Sequence, residues 1–446
     1  MPTRNVKIAL VGGGSYTWTP KLIADLARSS YLSGSELCLI DLNPAPLKVM
    51  EHLARRYFGE TDSKCRVTTT TDLATGLDGA GYVMVSITTG GLKAMRVDLE
   101  TPERYGIFQP VGDTVGPGGL ARTLRNVPVF VDLARQMEQR CRPGALMLNV
   151  SNPLTSLTRV VNRETSIRAL GLCHGVDHHA HHLARLAGAE GPEEADYVTA
   201  GIDHCPWLLE LKVRGRDAGE VLIEKGVDAW LATPVDQVPK DSPFAGEGGN
   251  RAAFRLWREL GYMPGISDRH ITEFFPHFLK DRETIARYGI RLTTVPDREQ
   301  GREAAAKRIE EMASGKTPLA FPPTSDNVVG IVEALEGGTR LKDSVNAPNI
   351  GQVSNLPEGA VVETLCLYDT AGCHPLAAGP LPPVLRAIVE PHLVRQELAI
   401  DAALEGDRKK ALQALIDDPR VLDIDIARPM LEALLEGNRE YLPRFF

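Results

Sequence analysis

Cys173 and His174 stand side by side after the short apolar run Leu170-Gly171-Leu172, and about thirty residues on Ala200-Gly201-Ile202-Asp203-His204-Cys205 carries a second histidine. Cysteine and histidine are the side chains that hold a borderline divalent cation. Two separated candidates do not make a metal signature by spacing alone; a small buried thiol and a hydrogen-bonded loop histidine fit the same residues. Between them, Asp177-His178-His179-Ala180-His181-His182 continues a four-residue repeat from His174 through His178 to His182, which places three imidazoles on one helix face. No carboxylate at H-E-x-x-H spacing accompanies them, which favours a polar helix face over a zinc site. Asp268-Arg269-His270, ahead of Glu273-Phe274-Phe275-Pro276, gathers titratable groups on a glycine-containing loop, suited either to acid–base work or to an ion-paired helix start.

The elements that must position these groups are legible upstream. Val6-Lys7-Ile8-Ala9-Leu10-Val11 predicts a buried strand ended by Gly12-Gly13-Gly14. A helical pattern over 19–29 and a second strand, Glu36 to Ile40, follow, and that strand ends at Asp41. Strand, glycine turn, helix, strand, acid is the dinucleotide-binding order: glycines admit a pyrophosphate to the backbone, the helix start favours its charge, and the carboxylate bonds a ribose hydroxyl. Thr17 takes the place of the third glycine, so the turn reads G-x-G and also fits a purely structural role. An acid at position 41 favours NAD over NADP. Strands at Tyr82–Ile87, ending in Thr88-Thr89-Gly90-Gly91, and at Ala145–Val150, ending in Ser151-Asn152-Pro153, flank the glycine-dense loop from Gly112 to Gly119 and a helical pattern carrying Arg122 and Arg125. Strands alternating with helices predict a doubly wound domain with ligands at the carboxyl ends of its strands.

Composition agrees with an ordinary globular protein. The 446 residues are 43% hydrophobic and 24% charged, and 58 acidic against 50 basic residues give a net charge of −8. That balance argues against general nucleic-acid or anionic-membrane binding. No apolar run reaches the ~20 residues of a bilayer span, and the amino-terminal apolar stretch is too short for a secretory signal. Seven cysteines in so long a chain fit thiols in a reducing cytoplasm. Later segments show helical patterning at 307–312, 328–335 and 384–404, a strand at 360–365, and amphipathic helices from 408 to 442.

Taken together and in order, the motifs resemble glycoside hydrolase family 4, the NAD- and metal-dependent glycosidases. The matching pieces are Gly12-Gly13-Gly14-Ser15 with Thr19-Pro20, Gly116-Pro117-Gly118-Gly119 with Arg122 and Arg125, Asn152-Pro153, Cys173-His174-Gly175-Val176, Gly201-Ile202-Asp203-His204, Asp268-Arg269-His270 with Phe274-Phe275-Pro276, and the stretch from Asn349 to Pro357. The resemblance implies an α/β protein: a Rossmann-type NAD-binding domain over 1–198, then an α+β domain over 199–446 similar to the carboxyl-terminal domains of lactate and malate dehydrogenases, carrying substrate and homodimer or homotetramer contacts. It implies NAD against Gly12, Gly13, Gly14, Ser15, Asp41, Thr89 and Asn149, and Mn²⁺ or another divalent cation on Cys173 and His204. Asn152, Arg122 and Arg269 are the implied sugar-binding residues, Asp268 the proton-abstracting base, and His174 a group that protonates the leaving oxygen or orients a hydroxyl. Asp203 stands where many relatives carry Asn.

The implied reaction is hydride transfer from C3 of the sugar to NAD⁺, C2 deprotonation, elimination of the aglycone, water addition and return of hydride. Histidine after the metal cysteine resembles the branch acting on unphosphorylated hexuronides, so the expected substrate is a C6-anionic α-hexoside; a related branch cleaves sulfoquinovosides. Arginines 122, 125 and 269 are candidate partners for the anion. A 6-phosphoglucosidase of the same family, a plain NAD-dependent dehydrogenase and a non-catalytic NAD-binding protein are the alternatives.

Overall fold

The short aliphatic runs of the amino-terminal half become the strands of a twisted parallel sheet. A computed structural model of the protein describes residues 4–239, 241–244, 249–320 and 327–446. In chain order the strands are β1 (Lys7–Val11), β2 (Glu36–Ile40), β3 (Arg66–Thr70), β4 (Tyr82–Val85), β5 (Leu146–Asn149), β6 (Arg168–Gly171), β7 (Ala195–Ile202), β8 (Cys205–Val213), β9 (Arg216–Asp217), β10 (Met263–Pro264), β11 (Leu341–Pro348), β12 (Val361–Asp369) and β13 (Gly372–Pro375). The first six pair in the parallel order β3-β2-β1-β4-β5-β6. That is the order of a dinucleotide-binding fold, with its crevice where the order reverses beside β1. The α/β expectation is met, and the predicted elements at 19–29, 328–335, 360–365 and 384–404 appear as Thr19–Arg28, Val328–Glu336, Val361–Asp369 and Pro383–Glu405.

The second half does not form a separate sheet. β6 is joined antiparallel by β11, and the sheet continues through β12, β7, β8 and β10. Register partners Gly171–Asn346–Glu363–Gly201 cross four of these strands in one row. Packing crosses the midpoint of the chain as well. Ile400, Ala403, Met430 and Leu434 from the carboxyl-terminal helices share a core with Val83, Val127, Phe130 and Val160 of the nucleotide-binding half. The last helices thus cover one face of the first sheet, because those strands are apolar on both faces.

A charged pair lies in this interior. Asp98 and Arg125 form a two-pronged ion pair, Arg125 Nη1 donating to Asp98 Oδ1 at 2.8 Å, and neither side chain is exposed at all. Arg125 Nε donates to the carbonyl of Thr89 at 2.8 Å, fixing the loop after β4. Arg125 is therefore spent on structure, which corrects its candidacy as an anion-binding cation. Asp98→Ala leaves the guanidinium buried and uncompensated, so a loss of about 3–5 kcal/mol is expected in urea unfolding, with Arg125→Met in the same background recovering part of it.

Candidate active site

The loops after β1, β4, β5 and β6 gather at the carboxyl edge of the parallel sheet. Gly12 leaves β1 with φ +93°, and a Cβ there would lie 2.1 Å from the Ser86 carbonyl oxygen, so only glycine lets this turn pass under β4. The amides of Gly12 and Gly13 donate to Ile40 O at 2.9 and 2.8 Å. Asp41 is half-buried; its carboxylate accepts from the Gly14 amide and from the Asn43 amide, each at 3.0 Å, and so braces the glycine turn. Ser15 Oγ accepts from the Trp18 amide at the start of the next helix. Gly12→Ala is expected to abolish NAD binding in a fluorescence titration and to lower the melting temperature, since both the clash and the positive φ must be relieved.

The Thr89 amide donates to Asn126 Oδ1 at 3.1 Å. Asn149 is fully buried, and its side chain accepts from the Ser151 amide and donates to Ser151 O and Thr158 Oγ1. It shapes the turn after β5 from inside, where the resemblance had implied contact with the cofactor. Arg122, also buried, donates from Nε to the carbonyl of Asn152 at 3.0 Å and from Nη2 to Thr88 Oγ1, tying the loops after β4 and β5 together. Asn152 itself is half-buried beside the cis Asn152–Pro153 bond.

Cys173 lies just past β6, ahead of the helix Gly175–Ala187, and accepts at Sγ from the Gly175 amide at 3.4 Å. Asp203 and His204 form the two-residue tip of the β7–β8 hairpin, whose last register pair is Ile202 with Cys205. His204 has φ +63°, an uncommon conformation for a non-glycine residue that folds both tip side chains inward. Gly201 has φ +157° and a Cβ would meet Cys205 O at 2.3 Å, so the hairpin closes only over glycine. The result brings one ligating atom each from Cys173, Asp203 and His204 within 4.8 Å of one another. It is the single such cluster among the described residues. The repeat of His174, His178 and His182 assembles no further ligand group among those residues, in keeping with a polar helix face.

The electrostatics at the cluster would suit a cation. Burial, together with the nearby Asp203 and Glu363 carboxylates, pushes the Cys173 thiol well above its ordinary range. Both oxygens of Asp203 and both of Glu363 are buried with no hydrogen-bond partner, and burial raises both acids. Thr114 Oγ1 lies 2.8 Å and His270 Nδ1 3.2 Å from His204 Nδ1. Those partners engage Nδ1 and leave Nε2 facing Asp203 Oδ1 at 3.8 Å. Thiol, carboxylate and imidazole nitrogen, converging with both carboxylate oxygens unpaired, fit a divalent cation.

The Asp268–Glu273 segment divides its labour. Asp268 is 2% exposed and accepts from the Ala252 and Ala253 amides at 3.0 and 2.8 Å, at the start of the helix Arg251–Leu260. Burial pushes its carboxyl up to about 6 despite those bonds. Arg269 Nη2 donates to Pro110 O at 3.1 Å and to Thr293 Oγ1, while its buried Nε has no partner. Glu273 Oε1 accepts from Val111 and Gly112 amides at 2.9 and 2.8 Å, pinning the glycine-rich loop. His270 packs against His204 with ring centroids 4.1 Å apart and the rings tilted by 53°, and burial, followed by the neighbouring His204, pushes its imidazole well below the ordinary range. The sequence patterns include His270 and Glu273 in the titratable stretch and Asp113 and Thr114 in the glycine-dense loop, but give none of the four a role of its own. Asp113 is the ionisable group in the glycine loop: burial opposes its charge, but Arg122, His204 and His270 outweigh burial and push its carboxyl below the ordinary value. Trp18, at the start of the helix after the glycine turn, meets His174 edge-on at 6.3 Å, so that turn and the Cys173–Asp203–His204 cluster adjoin.

A model of the family 4 glycosyl hydrolases matches residues 7–189, and a model of that family's C-terminal domain matches residues 199–421. The chain belongs to glycosyl hydrolase family 4. An alpha-galacturonidase of Lachnoclostridium phytofermentans is 31% identical over 99% of this chain and 97% of its own. A solved Bacillus subtilis structure described as a glucosidase, lplD, superposes with a TM-score of 0.88 at 31% identity, covering 97% of this chain and all of that one. A 6-phospho-alpha-glucosidase from gut microorganisms, solved with NAD and Mn²⁺, gives 0.81 at 22% identity, over 99% of this chain and 100% of that one. At the level of fold alone, malate dehydrogenase of Plasmodium falciparum gives 0.50 at 13% identity over 92% of this chain and 99% of that one, as expected of a Rossmann domain with an α+β partner. Family 4 membership makes this chain a glycosidase and sets aside the plain dehydrogenase. Among the described residues no helix is long and apolar enough to cross a membrane.

Proposed function

We propose that the protein hydrolyses a C6-anionic, non-phosphorylated α-hexoside, a hexuronide first of all, with NAD⁺ and a divalent cation such as Mn²⁺ bound in one cleft. The observation that carries the reading is the meeting of the Cys173–Asp203–His204 cluster with the glycine turn after β1, through His174 and Trp18. The relatives named alpha-galacturonidase, similar over nearly the full chain, support the uronide. When bound, the dinucleotide and the cation supply reversible oxidation at C3 and acidification of the neighbouring C–H bond.

This chain's own residues do the rest. Gly12, Gly13, Gly14 and Ser15 hold the pyrophosphate, with Asp41 and the Thr89 loop on the ribose and nicotinamide sides. Cys173 and His204 hold the cation, and Thr114 fixes the His204 tautomer. Arg269, with its unpartnered Nε, and Arg122 supply positive charge for the C6 anion, and Asn152 takes sugar hydroxyls. Asp268 is the proposed base at C2: a carboxyl at about 6 is ionised near neutrality yet still basic, and two backbone bonds leave further lone pairs on its oxygens. His270 is the second reading for the base, favoured by its place against His204. His174 protonates or orients the leaving oxygen.

The test is a panel of nitrophenyl α-galacturonide, α-glucuronide, α-sulfoquinovoside and 6-phosphoglucosides, run with NAD⁺ and Mn²⁺. Cleavage of a uronide, without stoichiometric NADH and with solvent deuterium appearing at C2, is expected. Cleavage of the phosphates alone rejects the substrate assignment.

A further inference from the structure

Resting on the cation reading above, we propose that Asp203 is a third protein ligand, so that the cation is held by thiolate, carboxylate and imidazole. Asp203 is 1% exposed and neither of its oxygens has a hydrogen-bond partner, an arrangement that calls for a physical reason and that a cation supplies. Its Oδ1 lies 3.8 Å from His204 Nε2, inside the ~4.2 Å that two ligand bonds of ~2.1 Å span about one ion. His204 sits at the hairpin tip with φ +63°, and the ligating atoms of Asp203 and His204 both lie within 4.8 Å of Cys173 Sγ. Thiolate and carboxylate together match the charge of a divalent ion in a water-poor site. An amide at position 203 would leave that charge half matched.

Full-length protein serves for the test, with free Mn²⁺ followed by electron paramagnetic resonance. Asp203→Asn is expected to raise the Mn²⁺ Kd by about 10–100-fold, as ligand charge sets affinity in such sites. Asp203→Glu, which keeps the charge, recovers part of it. Without metal, Asp203→Asn melts no lower than the parent, because a buried unpaired carboxylate has gone, while its Mn²⁺-induced rise in melting temperature shrinks. Unchanged Mn²⁺ affinity in Asp203→Asn, with binding lost in Cys173→Ser, overturns the inference and leaves the site standing. Unchanged affinity in both overturns the site as well.

A second inference stands on a separate observation. Cys366 on β12 and Cys373 on β13 are diagonal neighbours across a hairpin, with Sγ atoms 2.8 Å apart, closer than the ~3.5–4.0 Å of ordinary non-bonded contact. Cys366 is buried; Cys373 is half-buried and lines a cavity of about 430 Å³ with Tyr82, Arg142 and Arg168, at the amino ends of the parallel strands and so away from the active site. We infer that this pair is a reversible dithiol–disulfide site, oxidised by a low-molecular-weight disulfide entering the cavity. The Cys373 thiolate attacks one sulfur of that disulfide and expels a thiolate; Cys366 then attacks Cys373 Sγ and expels the second. Two protein thiols and one disulfide become one protein disulfide and two small thiols, with both protons passing to the leaving groups.

Oxidised glutathione is the probe, followed by alkylation, digestion and mass spectrometry. A Cys366–Cys373 peptide lighter by two hydrogens is expected, reversed by a reductant, and Cys366→Ser stops at a glutathione adduct on Cys373. Recovery of both cysteines as free, alkylated thiols after equilibration with excess oxidised glutathione overturns it.

Discussion

Cys173→Ser is expected to abolish Mn²⁺ binding and to lower turnover by about 10³-fold, the equivalent of about 4 kcal/mol. Burial and the Asp203 and Glu363 charges hold the bare Cys173 thiol protonated, so a cation that takes it as thiolate must release its proton. A serine hydroxyl does not give up that proton near neutrality. Two measurements separate this from a loss of fold. The parent releases a proton on Mn²⁺ addition in weak buffer and binds more weakly as pH falls; the variant does neither. The metal-free melting temperature changes little, since one atom is exchanged in a half-buried side chain. Full Mn²⁺ affinity in the variant would remove the thiolate from the site.

Asp268→Asn is expected to cost about 10²–10⁴-fold in kcat and to erase solvent exchange at C2 of the sugar. The pH profile carries the sign. Burial raises the Asp268 carboxyl to about 6, only the ionised form accepts a proton, and so kcat/KM of the parent climbs as pH rises through about 6 and flattens above. That limb is missing in the variant. Stability moves the other way: with the folded-state value above the ordinary 3.8, the folded protein holds the proton longer than the unfolded chain, and stability declines as pH rises from about 4 to about 6. Asn keeps one acceptor for the Ala252 and Ala253 amides, so the helix start loses about 1 kcal/mol and unfolding alone does not explain a thousandfold loss. Retained exchange in Asp268→Asn together with its loss in His270→Gln would transfer the base to His270.

The amino-acid sequence by itself determined the nucleotide-binding half. Apolar runs ending in Gly12-Gly13-Gly14 and in Asp41 are local signals, because strand length, turn glycine and helix start are each decided by a few adjacent side chains. The order of the weak motifs along the chain carried the family and thus the pairing of Cys173 with His204. Their chemistry alone did not. Only the tertiary structure decided that Asp203 joins them, that Arg125 is consumed by Asp98 and Asn149 by its own turn, and that His270 rather than a neighbour lies on His204. Those outcomes depend on which buried charge finds which partner once the β7–β8 hairpin folds back on the end of β6. Such pairings are set by distances between segments far apart in the chain, and no local pattern of residues encodes them.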